Sequence, residues 1–191
     1  TGNGYHVALV GDSTHVSGAT TFLNTGSVTL GNAAADSLAF DGGLVATAPS
    51  GLSVGGTVST TNTAMTLGDS NTALVLNDHV TLNTAGGALS LNGAINGTAI
   101  NTQSLTLNAG AAGAVSVTGA IGQSTSLNTL TLTHSNGATF NGPVTADTAV
   151  VLSNTSVGQT IRFANNLSTA TLTTTGNGYH VALVGDSTHV S

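Results

Sequence analysis

One pattern recurs along this 191-residue chain and leaves it very few folds. The stretch Leu105 to Ile121, LTLNAGAAGAVSVTGAI, opens with an alternating apolar-Thr-apolar run. It then crosses a small flexible turn, alternates again and ends on a Gly-x-apolar corner. The same plan returns as VTLGNAAADSLAFDGGL from Val28, LVATAPSGLSVGGTV from Leu44, MTLGDSNTALVLNDHV from Met65 and VTLNTAGGALSLNGAI from Val80. It continues as LTLTHSNGATFNGPV from Leu130, VVLSNTSVGQTIRFANNL from Val150 and LTTTGNGYHVALVGDS from Leu172. Repetition at this period is the mark of an array in which each unit buries its apolar face only against its neighbours.

A longer repeat lies above the short one. Residues 1–17, TGNGYHVALVGDSTHVS, are identical to residues 175–191. Shared among eight modules, the offset between the two copies (175 − 1 = 174) gives a mean module of roughly 22 residues, within the range of solenoid repeats. Strand surfaces tolerate many substitutions, so shared fold alone does not keep seventeen consecutive positions identical. The expectation is one continuous segment over 1–191: one 174-residue period plus a 17-residue overlap, cut from or built like a longer tandem array.

Strict alternation at Leu105/Leu107, Val115/Val117 and Leu130/Leu132 has the period of two of strands with one buried face. No segment carries an i, i+3, i+4 apolar pattern over helical length. Gly, Asn and Asp gather between the runs, as at Asp41-Gly42-Gly43, Gly55-Gly56, Asn92-Gly93 and Asn141-Gly142, where turns need positive φ. The predicted fold is all-β: a β-solenoid (β-helix) of about eight coils of roughly 22 residues, stacked parallel and in register. Its expected inward stack is Leu9, Phe40, Val54, Leu76, Leu91, Val117, Phe140, Phe163 and Leu183. At about 4.8 Å per coil, eight coils would advance roughly 38 Å.

That geometry also accounts for the charge content. Only 4% of residues are charged, with no Lys or Glu and Arg162 as the one cation, against roughly 25% in ordinary domains. Outward side chains of stacked coils sit about 4.8 Å from their counterparts, so a column of like charges repels along its length. Neutral Thr, Ser and Asn columns bond to one another instead. A net charge of −6 argues against nucleic acid as a partner, and no apolar run approaches the roughly 20 residues that span a bilayer.

Few residues suggest chemistry. Asp36 and Asp41 in DSLAFDGG resemble a worn calcium-binding nonapeptide, but Ala33, Ala34 and Ala35 replace its glycines and no second copy follows. A solvated turn is the expected reading, with calcium at Asp36 and Asp41 the weaker one; Asp69 and Asp78 lack the dense oxygen set calcium needs. His6 and His15 could approach across a coil, yet two histidines without a third ligand make a poor zinc site. With no Glu there is no acid pair of the glycosidase kind, and no Gly-x-Ser-x-Gly elbow occurs. No enzyme activity and no cofactor are expected. Thr129/Thr131/Thr133 and Thr171/Thr173/Thr175 would line flat faces, which keeps a ligand-binding alternative open: a glycan- or ice-binding module. Arg162, between Ile161 and Phe163, is expected to point outward.

Ser104–Thr133 (SLTLNAGAAGAVSVTGAIGQSTSLNTLTLT) and Val80–Thr98 (VTLNTAGGALSLNGAINGT) resemble the Gly/Thr/Asn-rich β-strand repeats of giant bacterial surface proteins, the filamentous-haemagglutinin-like and autotransporter-type adhesins. The resemblance covers most of the chain and carries no catalytic motif. It implies a β-helical stalk, export to the cell surface, and a role in adhesion or matrix formation. The function expected is a structural unit of an extracellular fibre. Its partner is a second copy of itself, stacked head to tail, with neighbouring filaments or a host or abiotic surface beyond.

Overall fold

The structure is a computed structural model and describes residues 2–190. The alternating runs form twenty strands with no helix among the described residues, and every pairing is parallel. The chain winds as a β-solenoid with three faces per turn. The first face holds Val7–Leu9, Ser27–Leu30, Ile95–Gly97 and Thr188–Val190; the second holds Ser13–Val16, Ser37–Phe40 and Leu105–Asn108. Five long strands, Gly51–Ser59, Leu74–Asn83, Leu127–His134, Val144–Leu152 and Leu167–Thr174, bend from the first face into the second, so these two faces make one 12-stranded sheet. The third face is a separate 8-stranded sheet: Thr20–Thr21, Leu44–Ala46, Met65–Leu67, Leu89–Leu91, Val115–Val117, Ala138–Phe140, Thr160–Phe163 and His180–Leu183.

Register on the first face runs Val7, Val28, Leu52, Leu74, Ile95, Ile121, Val144, Leu167, Thr188. These positions mark eight turns. The turn from Val7 to Val28 is among the shortest, and that from Ile95 to Ile121 is the longest. The expected eight coils are present, a little longer than the sequence period suggests. One bend needs a particular residue. At Gly56, φ is +75° and an added Cβ would lie 2.3 Å from the Asp36 carbonyl oxygen of the previous turn, so no side chain fits there.

The inward side chains form columns, one per register position. On the second face Leu38, Val58, Leu82, Leu107, Leu132 and Leu152 stack in successive turns, all fully buried. The single stack expected from sequence divides among the faces. Leu9, Val54 and Leu76 share a first-face column with Leu30. Leu91, Val117, Phe140, Phe163 and Leu183 share a third-face column with Ala46 and Leu67, in which the Phe140 and Phe163 rings stack at 4.8 Å. Phe40 pairs with Val16 on the second face. A two-residue period fixes which residues point inward but not which of three faces a strand occupies.

The two identical stretches show the same limit. In the first copy Val7–Leu9 lies on the first face and Ser13–Val16 on the second; in the other, His180–Leu183 lies on the third face and Thr188–Val190 on the first. Leu9 and Leu183, equivalent in sequence, therefore sit one face apart. The offset between the copies covers seven and two-thirds turns, not the whole number that dividing by eight modules implies.

Burial is uneven along the axis. Every buried apolar residue lies between Val28 and Leu167. Leu9 is half-buried and Leu183 is 40% exposed, because each end turn has a neighbour on one side only.

Candidate functional surface

Outward residues bond from turn to turn as the neutral columns require. Thr29 and Ser53 hydroxyls lie 3.1 Å apart, Asn128 donates Nδ2 to Asn101 Oδ1 at 3.0 Å, and Gln123 donates Nε2 to Thr145 Oγ1 at 2.9 Å. A column of buried hydroxyls, interrupted by Ala109, caps the corner between second and third faces. There Thr60 Oγ1 donates to the Thr63 carbonyl at 2.6 Å and Thr84 Oγ1 to that of Gly87, while Ser135 and Thr155 hydroxyls meet at 2.8 Å. Sequence reasoning missed this column, although the signal is present. Thr84 follows Val80 and Leu82 at the same inward parity, so its hydroxyl enters the core and must be satisfied there.

The acidic residues serve loops. Asp36 is 4% exposed, and its Oδ2 accepts the backbone N–H groups of Asn32 at 2.8 Å and Ala33 at 3.2 Å. Asp78, two turns further along, accepts the next N–H, that of Ala34, at 3.0 Å. Two carboxylates thus occupy a three-donor loop built by the very alanines that replace the calcium motif's glycines. Gln103 plays the same part in the loop after Ile95–Gly97, its Oε1 accepting Thr98 and Ala99 N–H at 3.1 and 3.2 Å. Asp41 points elsewhere. Its Oδ2 is 2.8 Å from His15 Nε2, and its Oδ1 accepts the Thr61 hydroxyl at 2.8 Å. The candidate calcium pair is therefore divided between separate partners.

Hydrogen bonds hold three carboxylates below the usual range: from His15 and Thr61 for Asp41, from Asn71 and Thr72 for Asp69, and from the backbone of His79 and Ala34 for Asp78. The histidines do not converge. His6 Nδ1 accepts the Ser27 N–H at 2.9 Å, while His15 faces Asp41. His79 Nδ1 accepts the Ser104 N–H at 3.2 Å. Among the described residues no three His, Asp, Glu or Cys side chains come together as metal ligands. Arg162 is exposed, in register with Thr139 and Ala182, and among the described residues His15–Asp41 is the one contact of this length between a basic side chain and a carboxylate.

The Thr-x-Thr pairs do not build a continuous face. Thr129 and Thr131 meet Ala149 and Val151 in the next turn, and Thr171 and Thr173 come one turn after that. Thr57, Thr81, Thr106 and Thr131 form a regular column one residue wide. Two shallow depressions, of about 340 and 420 Å³, are lined mainly by Ser, Asn and small apolar residues.

The most distinctive surfaces are the ends. Val7–Leu9, Ser13–Val16 and Thr20–Thr21 form one open edge; Leu167–Thr174, His180–Leu183 and Thr188–Val190 form the other. Six large exposed apolar residues belong to these end turns: Tyr5, Val10 and Leu23 at the first, Leu183, Val184 and Val190 at the second. The chain matches no family model, no curated protein and no solved structure.

Proposed function

We propose that this chain is a structural unit of an extracellular bacterial fibre, a scaffold, matrix or adhesion stalk extended by head-to-tail stacking of solenoid turns. The observation that carries the reading is the parallel, in-register column of turns, whose buried apolar side chains recur from turn to turn and can be extended by further turns of the same kind. An exposed parallel edge is a template for another strand, and a head-to-tail contact that does not close yields a filament. The identity of residues 1–17 and 175–191 supports the same reading, since it marks a sequence built as a recurring series. The outer surface contributes by what it lacks: a neutral hydroxyl and amide coat lets turns stack without accumulating repulsion. Export to the cell surface follows from the resemblance to adhesin repeats and is part of the proposal.

Electron microscopy of the purified chain tests the reading. Filaments lengthening with concentration, with strands perpendicular to the axis and a meridional spacing of about 4.8 Å, are expected. Monodisperse particles at all concentrations would remove the fibre and leave a ligand-binding module in its place.

A further inference from the structure

Contacts in a solenoid ordinarily run only between adjacent turns, so each turn is held by its two neighbours alone. Three hydrogen bonds of this chain skip a turn. Asp78 Oδ2 accepts the Ala34 N–H at 3.0 Å, Thr148 Oγ1 donates to Asn101 Oδ1 at 3.1 Å, and Ser156 Oγ donates to the Ala111 carbonyl at 2.8 Å. Counted from the first-face positions, Ala34 belongs to the turn that begins at Val28 and Asp78 to the one that begins at Leu74, with the turn from Leu52 between them. The other two bonds join the turn from Ile95 to the turn from Val144, across the turn from Ile121.

One local cause produces the bonds at Asp78 and Thr148. At the corner between first and second faces the ladder slips, so that one turn passes the corner tightly and the next bulges. Gly55 alone lies between the paired Val54 and Gly56, where the next turn has Asn77, Asp78 and His79. Asn128 alone lies between Leu127 and Thr129, opposite Asp147 and Thr148. Extra residues in a ladder are left unpaired and re-aim their side chains. Here Asp78 and Thr148 reach past the tight corner to a loop on its far side. Each of those loops is closed on itself, by Asp36 on the N–H groups of Asn32 and Ala33 and by Gln103 on those of Thr98 and Ala99. Closed loop, tight corner and bulge thus follow one another in the turns from Val28, Leu52 and Leu74, and again in those from Ile95, Ile121 and Val144. In the second set Asn128 adds to the tie, since its Nδ2 donates to the same Asn101 Oδ1 at 3.0 Å.

We propose that this solenoid opens in clasped units of three turns rather than turn by turn, one unit over residues 28–94 and the next over 95–166. Within a unit the outer turns are tied to each other as well as to the turn between them, so none separates without releasing the other two. Across the junction between units, no hydrogen bond among the described residues skips a turn. The turns from Leu74 and Ile95 meet through the ladder and through the Ser104 N–H on His79 Nδ1. The buried hydroxyl of Thr84 also meets Ala109 there instead of another hydroxyl. In the fibre proposed above, and resting on that reading, axial load would part the chain first at this junction.

Native-state amide hydrogen exchange, read residue by residue below the concentration of polymer formation, tests the units whether or not the chain forms fibres. Two variants remove the clasps: Asp78→Ala for the first unit, and Thr148→Ala with Ser156→Ala for the second. None of these side chains belongs to the buried core, so both variants keep the inward columns. Asp78→Ala should speed exchange about tenfold, the worth of one such hydrogen bond, throughout its own unit. The skipped strand Gly51–Ser59 is included, and Leu105 to Phe163 should be unchanged. The double variant should do the reverse, speeding exchange over 95–166, including the skipped Leu127–His134, and leaving 28–94 unchanged. Asp78→Asn and Thr148→Ser with Ser156→Thr keep an acceptor or a hydroxyl and should restore most of the slow exchange. Faster exchange confined to the turns that carry the substitutions would overturn the proposal, since the bonds would then be local. Equal acceleration across both units would overturn it too, because the chain would open as one body, and so would no acceleration at all.

Discussion

Replacing Phe140 by Ala tests whether the inward columns hold the solenoid together. Phe140 is 1% exposed, in register with Val117 on one side and stacked on Phe163 on the other, with ring planes 11° apart. A buried Phe removes about 150–250 Å² from water, worth about 4–6 kcal/mol at 25 cal/mol per Å², while Phe→Ala changes in cores cost about 3–5 kcal/mol. Partial collapse usually lowers such costs. Here hydrogen-bonded ladders on three faces fix the spacing between turns, so Val117 and Phe163 cannot close the gap, and a loss of about 4 kcal/mol is expected. Leu183→Ala lies in the same column but at a half-open end turn, where about 1 kcal/mol is expected for a side chain already 40% exposed. Urea unfolding followed by far-ultraviolet circular dichroism, at concentrations below polymer formation, measures both. A Phe140→Ala cost no greater than that of Leu183→Ala would refute the claim that stability resides in the stacked interior.

Three further outcomes follow from the side-chain contacts. Asp36→Ala removes the acceptor for two backbone N–H groups and should cost about 1–3 kcal/mol; millimolar calcium should leave the melting temperature of the native chain unchanged, and a rise of several degrees would restore the calcium reading. Asp41, Asp69 and Asp78 titrate below their ordinary value of 3.8 when folded, so their contribution is complete above that value and lost as pH falls through the lowered folded values. Acid unfolding should begin below that ordinary value, and His15→Ala should reduce the part owed to Asp41; melting temperature against pH checks both. Lys placed together at Thr81, Thr106 and Thr131, a column of adjacent turns, should destabilise by about 1 kcal/mol per neighbouring pair at low salt and recover in about 1 M salt. An effect insensitive to salt would mean that repulsion is not why the chain lacks charges.

Much of the fold was legible because a solenoid repeats one decision. The parity of Leu105/Leu107 or Val115/Val117 tells inward from outward, and eight recurrences leave no other architecture that buries them. The faces were not legible. Parity places Phe40, Leu91 and Leu9 all inside, but the lengths of the corners decide which column each joins, and these vary between turns. The corner after Leu30 accommodates a loop closed by Asp36, whereas the bend at Gly56 turns within a single strand. The same variation puts Leu9 and Leu183 on different faces despite identical sequence. Of the candidate site residues, Asp36 and Asp41 stand out in the sequence as rare charges beside turns. Asp36 caps N–H groups only three and four positions away, a local contact, whereas the pairing of Asp41 with His15 spans 26 positions and is encoded by no local motif.

The central claim, that this chain stacks end to end as a fibre unit, is tested most directly by cryo-electron microscopy of the concentrated protein with its helical symmetry determined. The account predicts filaments with strands perpendicular to the axis and a spacing of about 4.8 Å between turns along it. Discrete particles of one chain each, unchanged up to the highest soluble concentration, would contradict it.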